Sequence, residues 1–265
     1  MSTFTDYMTV ANNLSRYQTM TADDPTVAQA TKYFQANIGS ITSVDQFVNN
    51  TRIFNYAMTA FGLSDMTYAK SLIKQVLEQG TTSSKALANT LNNPNILALA
   101  QAFNFAQNGA ATTQSAAAST DVVSNYVMQT LETKQGAQNP GIQLALYFQQ
   151  NASKITDGYS VLADKNLLTV VQTTLGISPD TSMENIDQQA AQFNKLLTYS
   201  DFQNPTKVQT FLERFTAEYD LNNPTASPSS ASSTLVSPLL STASSSAGIS
   251  SDLLMSIQNL RLGGS

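Results

Sequence analysis

Cysteine, histidine and tryptophan occur nowhere in the 265 residues. Their absence removes disulfides, thiolate nucleophiles, imidazole bases and the common zinc, copper and haem ligands together. Carboxylates, lysine, tyrosine and hydroxyls are left for chemistry, and no hydroxyl–base constellation stands out among them. Charged residues make up 12% of the chain, about half the share of an ordinary soluble domain. Asn, Gln, Ser and Thr supply the polarity instead. The net charge is −5, and Lys and Arg form no stripe of the kind phosphate neutralisation needs, which argues against nucleic acid as a partner. No apolar run approaches the roughly 20 residues needed to span a bilayer. The opening "MSTFTDYMTVANNLSRYQ" lacks the basic start and apolar stretch of a cleaved signal peptide. A chain that stays in the cytoplasm, or is exported by a route that does not read such a peptide, is the expectation.

What is present reads as helix. In "PTKVQTFLERFTAEY" the apolar positions Val208, Phe211, Leu212, Phe215 and Tyr219 fall on one face, and in "DMTYAKSLIKQVLEQG" Met66, Ala69, Ile73, Val76 and Leu77 do the same, with Gly80 just beyond. Four helices are predicted to begin with a cap residue followed by proline: Asp24-Pro25, Asn93-Pro94, Asn139-Pro140 and Asn204-Pro205. The cap side chain accepts from an orphan amide of the first turn, and proline at the first helical position forfeits no hydrogen bond. Strand-length alternation is absent, so the expected class is all-α.

The chain also repeats itself. "KYFQANIGSIT" at 32–42 returns as "LYFQQNASKIT" at 146–156, and at the same offset Phe61-Gly62-Leu63 meets Leu175-Gly176-Ile177. Two tandem related helical units of about 100 residues are expected. The first spans 1–108, with a small-residue linker at 109–121, and a diverged second unit spans 122–223. A Ser/Ala/Pro-rich segment at 224–251 contains no charge and reads as a flexible strap. At 252–265 a short amphipathic helix is expected, capped by Asp252, with Leu253, Leu254, Ile257 and Leu260 apolar.

The stretch "RIFNYAMTAFGLSDMTYAK" at 52–70 concentrates aromatic and methionine side chains around Gly62. A glycine that recurs between apolar residues at the end of a helical run fits a left-handed C-cap, with the next apolar residue folded back onto the last turn. Phe54, Tyr56, Met58, Phe61, Met66 and Tyr68 therefore read as core; the alternative is a ligand pocket or partner groove. Ser64 or Asp65 is expected to cap the following helix. Asp23-Asp24 is read as capping rather than catalysis. Asp180, Glu184 and Asp187 are read as a solvated face rather than a cation site, since the remaining oxygen ligands are missing. No catalytic residue, cofactor or metal is assigned.

The termini carry the contact candidates. Phe4, Tyr7, Ala11 and Leu14, with Met8 beside them, recur at spacings of three and four, a seam for another helix. Leu253, Leu254, Ile257 and Leu260 form a similar narrow face. These seams meet a neighbouring subunit or another copy of the chain, or else pack on their own domains.

One family resemblance adds to this. Asn37-Ile38, Ile41-Thr42, Arg52, Ala60 to Leu63, Asp65 to Lys70 and Val76 to Gly80 follow the pattern of the alphaproteobacterial domain of unknown function twelve-seventeen. The likeness is specific over 30–106 and weak in the second copy, where Ser178-Pro179-Asp180 replaces Ser-Asp-Met. The resemblance implies a helical protein often encoded among flagellar genes, with no established activity and no assigned catalytic residue. The composition also looks similar to that of flagellin-like and hook-like exported proteins. The expected function is a non-enzymatic flagellum-associated helical protein, structural or an assembly and export accessory, whose partners are other flagellar or export proteins or itself. The alternative is a small-ligand or peptide-binding module using a cleft between the two units.

Overall fold

Side chains mark where the helices start. A computed structural model gives the fold of residues 2–179 and 185–224, and each of the four cap–proline pairs opens a helix. Asp24 Oδ1 accepts from the Thr26 amide at 3.0 Å, and Asn93 Oδ1 from Asn95 and Ile96 at 3.0 and 3.1 Å. Asn139 Oδ1 accepts from Gly141 at 2.9 Å, and Asn204 Oδ1 from Thr206 at 3.0 Å. Each such cap is worth about 1 kcal/mol. Among the described residues all regular structure is helical and no strand occurs.

In chain order, α1 (Thr3–Ala11) and α2 (Leu14–Ala22) precede α3 (Pro25–Asn37), a 3-10 turn at Ile38–Ser40, α4 (Val44–Asn49) and α5 (Thr51–Ala60). After a 3-10 turn at Ser64–Met66 come α6 (Lys70–Gln79), α7 (Leu87–Thr90), α8 (Pro94–Ala102) and α9 (Phe105–Asn108). The second half runs through α10 (Thr120–Gly136), α11 (Pro140–Asn151), α12 (Gly158–Leu162), α13 (Lys165–Leu175), α14 (Ile186–Leu196) and α15 (Pro205–Asn222).

Two apolar cores form. The first holds Phe34, Phe47, Phe54 and Phe103, all fully buried, with the Phe47 and Phe103 rings 4.6 Å apart. Most of the Phe54 to Met66 stretch lies here as expected: Phe54, Tyr56 and Met58 are buried, and Phe61 and Met66 pack against them. Tyr68 does not; it is 83% exposed. The second core gathers Phe148, Phe193, Phe202 and Phe215. In α15, Val208, Leu212 and Phe215 are buried while Phe211 and Tyr219 pack against the cluster, the face read from the sequence. Helix α10 serves both cores, placing Val122 in the first and Met128 and Leu131 in the second.

The two halves share details. After α3 and after α11 the chain makes one 3-10 turn, a short helix and a longer one. Asn37 and Asn151 both donate from Nδ2 to the carbonyl four residues back, Tyr33 and Tyr147, at 2.8 and 2.9 Å. Each of those tyrosine hydroxyls meets the cap of the long helix, Asn50 for α5 and Asp164 for α13. Gly62 and Gly176 lie at φ +68° and +67°. Beyond them Leu63 N donates to Met58 O at 2.7 Å and Ile177 N to Gln172 O at 2.9 Å, the six-to-one bond of a left-handed C-cap.

Three expectations need correction. Residues 109–121 are not a loose linker but two 3-10 turns, Gly109–Gln114 and Ala116–Ala118, with Thr112, Thr113 and Ala118 buried. Thr113 Oγ1 donates to Ile41 O at 2.8 Å and Gln114 Nε2 to Gly39 O at 3.0 Å, so hydroxyl and amide groups fasten a segment that has little apolar surface. Helix α1, placed in the first unit by its position in the chain, contributes Tyr7 and Val10 to the second core. The helix after Gly62 starts at Lys70 without a side-chain cap. Ser64 cannot serve, because its hydroxyl donates backward to Thr59 Oγ1 at 3.1 Å. The expected strap at 225–251 and helix at 252–265 lie outside the described residues.

The C-caps give a test. A Cβ on Gly176 would meet nothing within 4 Å, whereas one on Gly62 would lie 3.2 Å from Asn95 Nδ2 and 3.4 Å from Gln129 Oε1. Gly176→Ala is expected to lose about 1 kcal/mol through its left-handed backbone, and Gly62→Ala about 2 kcal/mol because two amide side chains must also move. Urea denaturation of the two variants measures both.

Candidate functional site

The N-terminal contact candidates turn inward. Tyr7 is fully buried, its hydroxyl donates to Gln149 Oε1 at 3.4 Å, and burial, with the Glu213 charge adding, pushes its phenol pKa up. Met8, Ala11 and Leu14 are half-buried against the second core. The partner of this seam is within the chain: α1 packs on α11 and α15, and its first amide, Thr3 N, is held by both Asp220 carboxylate oxygens at 3.1 and 2.9 Å. Of the five residues only Phe4 stays exposed, at 40%. A three–four spacing shows that a helix needs a partner, but not which one. Leu253, Leu254, Ile257 and Leu260 lie outside the described residues.

The structure brings together a polar cleft of about 450 Å³ where the halves meet. Five elements build its walls, α13 among them through Asn166. The left-handed turn after α5 contributes Gly62, Ser64 and Asp65, and the first turn of α8 contributes Asn95. Gln129, Glu132 and Thr133 come from α10, and Gln143, Leu144 and Tyr147 from α11. Neither lysine nor arginine lines it. Two smaller cavities, of about 250 and 90 Å³, share Asn95 and Tyr147 with it.

Tyr147 is the hinge of this region. Its hydroxyl donates to Asp164 Oδ2, which ties α11 to the start of α13, and Asn95 of α8 lines the same cavities beside it. Asp164 Oδ1 meanwhile caps α13 through the Asn166 and Leu167 amides at 2.8 and 3.1 Å. Burial, together with the negative Asp164, holds the Tyr147 proton firmly on the phenol.

At the floor of the cleft sits Glu132, only 1% exposed. Gln129 Nε2 donates to Oε2 at 2.9 Å and Gln150 Nε2 to Oε1 at 2.7 Å. Removal from water disfavours the charged form more than the Gln129 bond restores it, so the carboxyl pKa is pushed up to about 8. At neutral pH Glu132 therefore holds its proton. A buried carboxyl poised in this way in a cleft is the type of group from which binding and catalytic sites are built. Sequence reading missed it, although one signal exists: position 132 follows Leu131 and lies four after Met128, on the apolar stripe of α10.

Asp24 and Asp187 have structural partners. Asp24 caps α3, as read from the sequence, and the structure adds an ion pair with Lys134 at 2.7 Å. Asp187 accepts from the Tyr159 hydroxyl at 2.8 Å, while Asp180 and Glu184 lie outside the described residues. Among the described residues no group of three Asp or Glu side chains converges as metal ligands would. Ser71 and Lys74 on α6 do have Ser-x-x-Lys spacing. The Lys74 ammonium, however, is paired with Asp45 at 2.6 Å and lies 3.7 Å from Glu78, and the Asp45 hydrogen bond raises its pKa, the reverse of what a lysine base needs.

Glu132 makes stability pH-dependent. Folded, it keeps its proton up to about pH 8; unfolded, it releases it near pH 4.5. The folded state thus binds the extra proton in that window, and stability is highest at its acid end and falls as pH rises through it, by up to about 5 kcal/mol. Urea unfolding of Glu132→Gln is expected to show a flatter pH profile than wild type, the two diverging most near pH 8.

Residues 60–208 match a family model described as "Protein of unknown function (DUF1217)". The X-ray crystal structure of a protein from Agrobacterium tumefaciens is similar to the chain at 38% identity and a TM-score of 0.79, over 84% of this chain and 97% of that one. No curated protein matches it. The family match runs from the end of α5 into α15, so the likeness includes the second half, beyond the 30–106 span that carried it in the sequence. With more than half of its length matched, the chain belongs to this DUF1217 family of unknown function.

Proposed function

We propose that the protein is a non-enzymatic, flagellum-associated helical protein, structural or an assembly and export accessory, which acts through helix–helix contacts with other flagellar or export proteins or with itself. One observation carries the reading. The first and last described helices lie side by side, joined by the Thr3 amide on Asp220, and next to that joint Phe4 and Leu221 stay exposed at 40% and 74%. This end of the body is where the chain continues into the segment bearing Leu253, Leu254, Ile257 and Leu260. The contact candidates proposed are therefore Phe4 on the body and, as a separate set, those four residues of the tail, and the buried Tyr7 has no part in either. The family resemblance, with its flagellar gene company, and the lack of Cys, His and Trp support the same reading. So does the structural use of Asp24, Asp157, Asp164 and Asp220 as caps and ties.

Deleting residues 224–265 is expected to leave the body folded by circular dichroism and to abolish swimming; retained motility would refute the role given to the tail. Recovery in sheared filaments or culture supernatant, lost in an export-deficient strain, selects the structural branch. Strictly cytoplasmic recovery selects the accessory branch.

A second reading is a small-ligand-binding module, and the cleft of about 450 Å³ over Glu132 favours it. Its volume lies within the range of ordinary ligand sites. A thermal-shift screen is expected to find a compound that raises the melting temperature of wild type and not of a Tyr147→Phe, Asn95→Ala variant.

A further inference from the structure

We propose that the cleft over Glu132 is a binding site for a small primary amine, whose ammonium takes the position on Glu132 Oε2 that Gln129 Nε2 now holds. The inference rests on the ligand-binding reading of the cleft and names the chemistry of its occupant.

Hydrogen-bond bookkeeping points to a cation. Gln129 and Gln150 both spend Nε2 on Glu132, at 2.9 and 2.7 Å. In this orientation each amide keeps its Oε1 as an acceptor. Gln129 Oε1 lies beside Gly62, 3.4 Å from where a Cβ would stand, so the glycine keeps that side of the cleft open. Asp65 adds a carboxylate at the rim, and no lysine or arginine lines the cavity. The walls thus offer acceptors and acidic groups without a fixed positive charge. A buried carboxylate in such surroundings needs a cation to be ionised without loss.

Ammonium suits the site better than a divalent metal. Three or more Asp, Glu, His or Cys side chains do not converge anywhere among the described residues. An ammonium has three donors, which Glu132 Oε2, Gln129 Oε1 and the rim Asp65 can divide among them. Entry requires only that Gln129, a half-buried side chain on the cleft wall, swing away from Oε2. The second Glu132 oxygen remains held by Gln150. The volume of about 450 Å³ leaves room for a polar body behind the amine.

Binding must displace the Glu132 proton. The groups that bond to this carboxyl or share its cleft are Gln129 on its own helix, Gln150 and Tyr147 on α11, and, elsewhere on the lining, Asp65 on the turn after α5. Asp164 lies behind Tyr147, and Lys154 and Lys165 line only the neighbouring cavities. Tyr147 keeps its proton throughout, and Glu132 is the group that titrates on loading. Amine affinity then rises about tenfold per pH unit up to about pH 8 and levels beyond it, since the amine itself stays charged to about pH 10.

The test is titration calorimetry of the full chain with putrescine, lysine and ethanolamine, in two buffers of different ionisation enthalpy. The expected result is binding with release of about one proton per site at neutral pH, and affinity at least tenfold weaker and independent of pH in Glu132→Gln. If that variant does not fold by circular dichroism, the proton count and pH slope of wild type decide alone. Absence of binding by all three amines at about pH 8.5, binding without proton release, or undiminished binding by a folded Glu132→Gln would overturn the proposal. Stabilisation by neutral or anionic compounds alone, lost when Tyr147 and Asn95 are changed, would overturn the amine assignment and leave the cleft reading standing. No stabilisation by any compound would remove both.

Discussion

Helix α10 is the constraint on which the rest of the molecule depends. Its N-terminal half places Val122 in the first apolar core, and Met128 and Leu131 enter the second. Its neighbours come from both halves, α5 on one side and α11 on the other. A helix of this length covered along both sides cannot be lost from one core without exposing the other. Unfolding of the described body is therefore coupled through a single element. The same position forces the one acidic residue on the covered face, Glu132, out of water. Two amides and a retained proton make that tolerable.

The halves agree in backbone devices and differ in charge. Tyr33 and Tyr147 occupy equivalent places, each against the cap of the helix that follows. In the first half the cap is the neutral Asn50, and the Arg52 guanidinium sits 3.5 Å over the Tyr33 ring. In the second the cap is Asp164, and the buried Glu132 carboxyl lines the same cleft as Tyr147. One framework thus presents a cation over tyrosine in one place and acidic groups around tyrosine in the other. Fold and surface chemistry have parted company within a single chain.

The legible features were those whose cause is local. The four cap–proline starts, the Gly62 and Gly176 turns and the apolar face of α15 each depend on residues within a few positions of one another, so composition and spacing suffice to find them. Tyr7, Thr113 and Glu132 were not legible, and for related reasons. Tyr7 is buried by helices more than a hundred residues away. Thr113 is fixed by a hydrogen bond to Ile41, a polar tie that an apolar-area argument does not count. Glu132 is significant because Gln150 and the turn at Gly62 meet it in space. The all-α class was therefore readable, while the cleft and the true partner of the N-terminal seam required the tertiary structure.

The placement of α1 in the second core has a consequence for biogenesis. The ribosome makes this helix before the rest of the described body, yet the residues that bury Tyr7 and hold the Thr3 amide, those of α11 and α15, are made more than a hundred residues later. At ordinary elongation rates the nascent chain waits about 10 to 40 s before α1 can dock. Throughout that interval its apolar stripe is open to chaperones or to any export machinery that selects chains before they close.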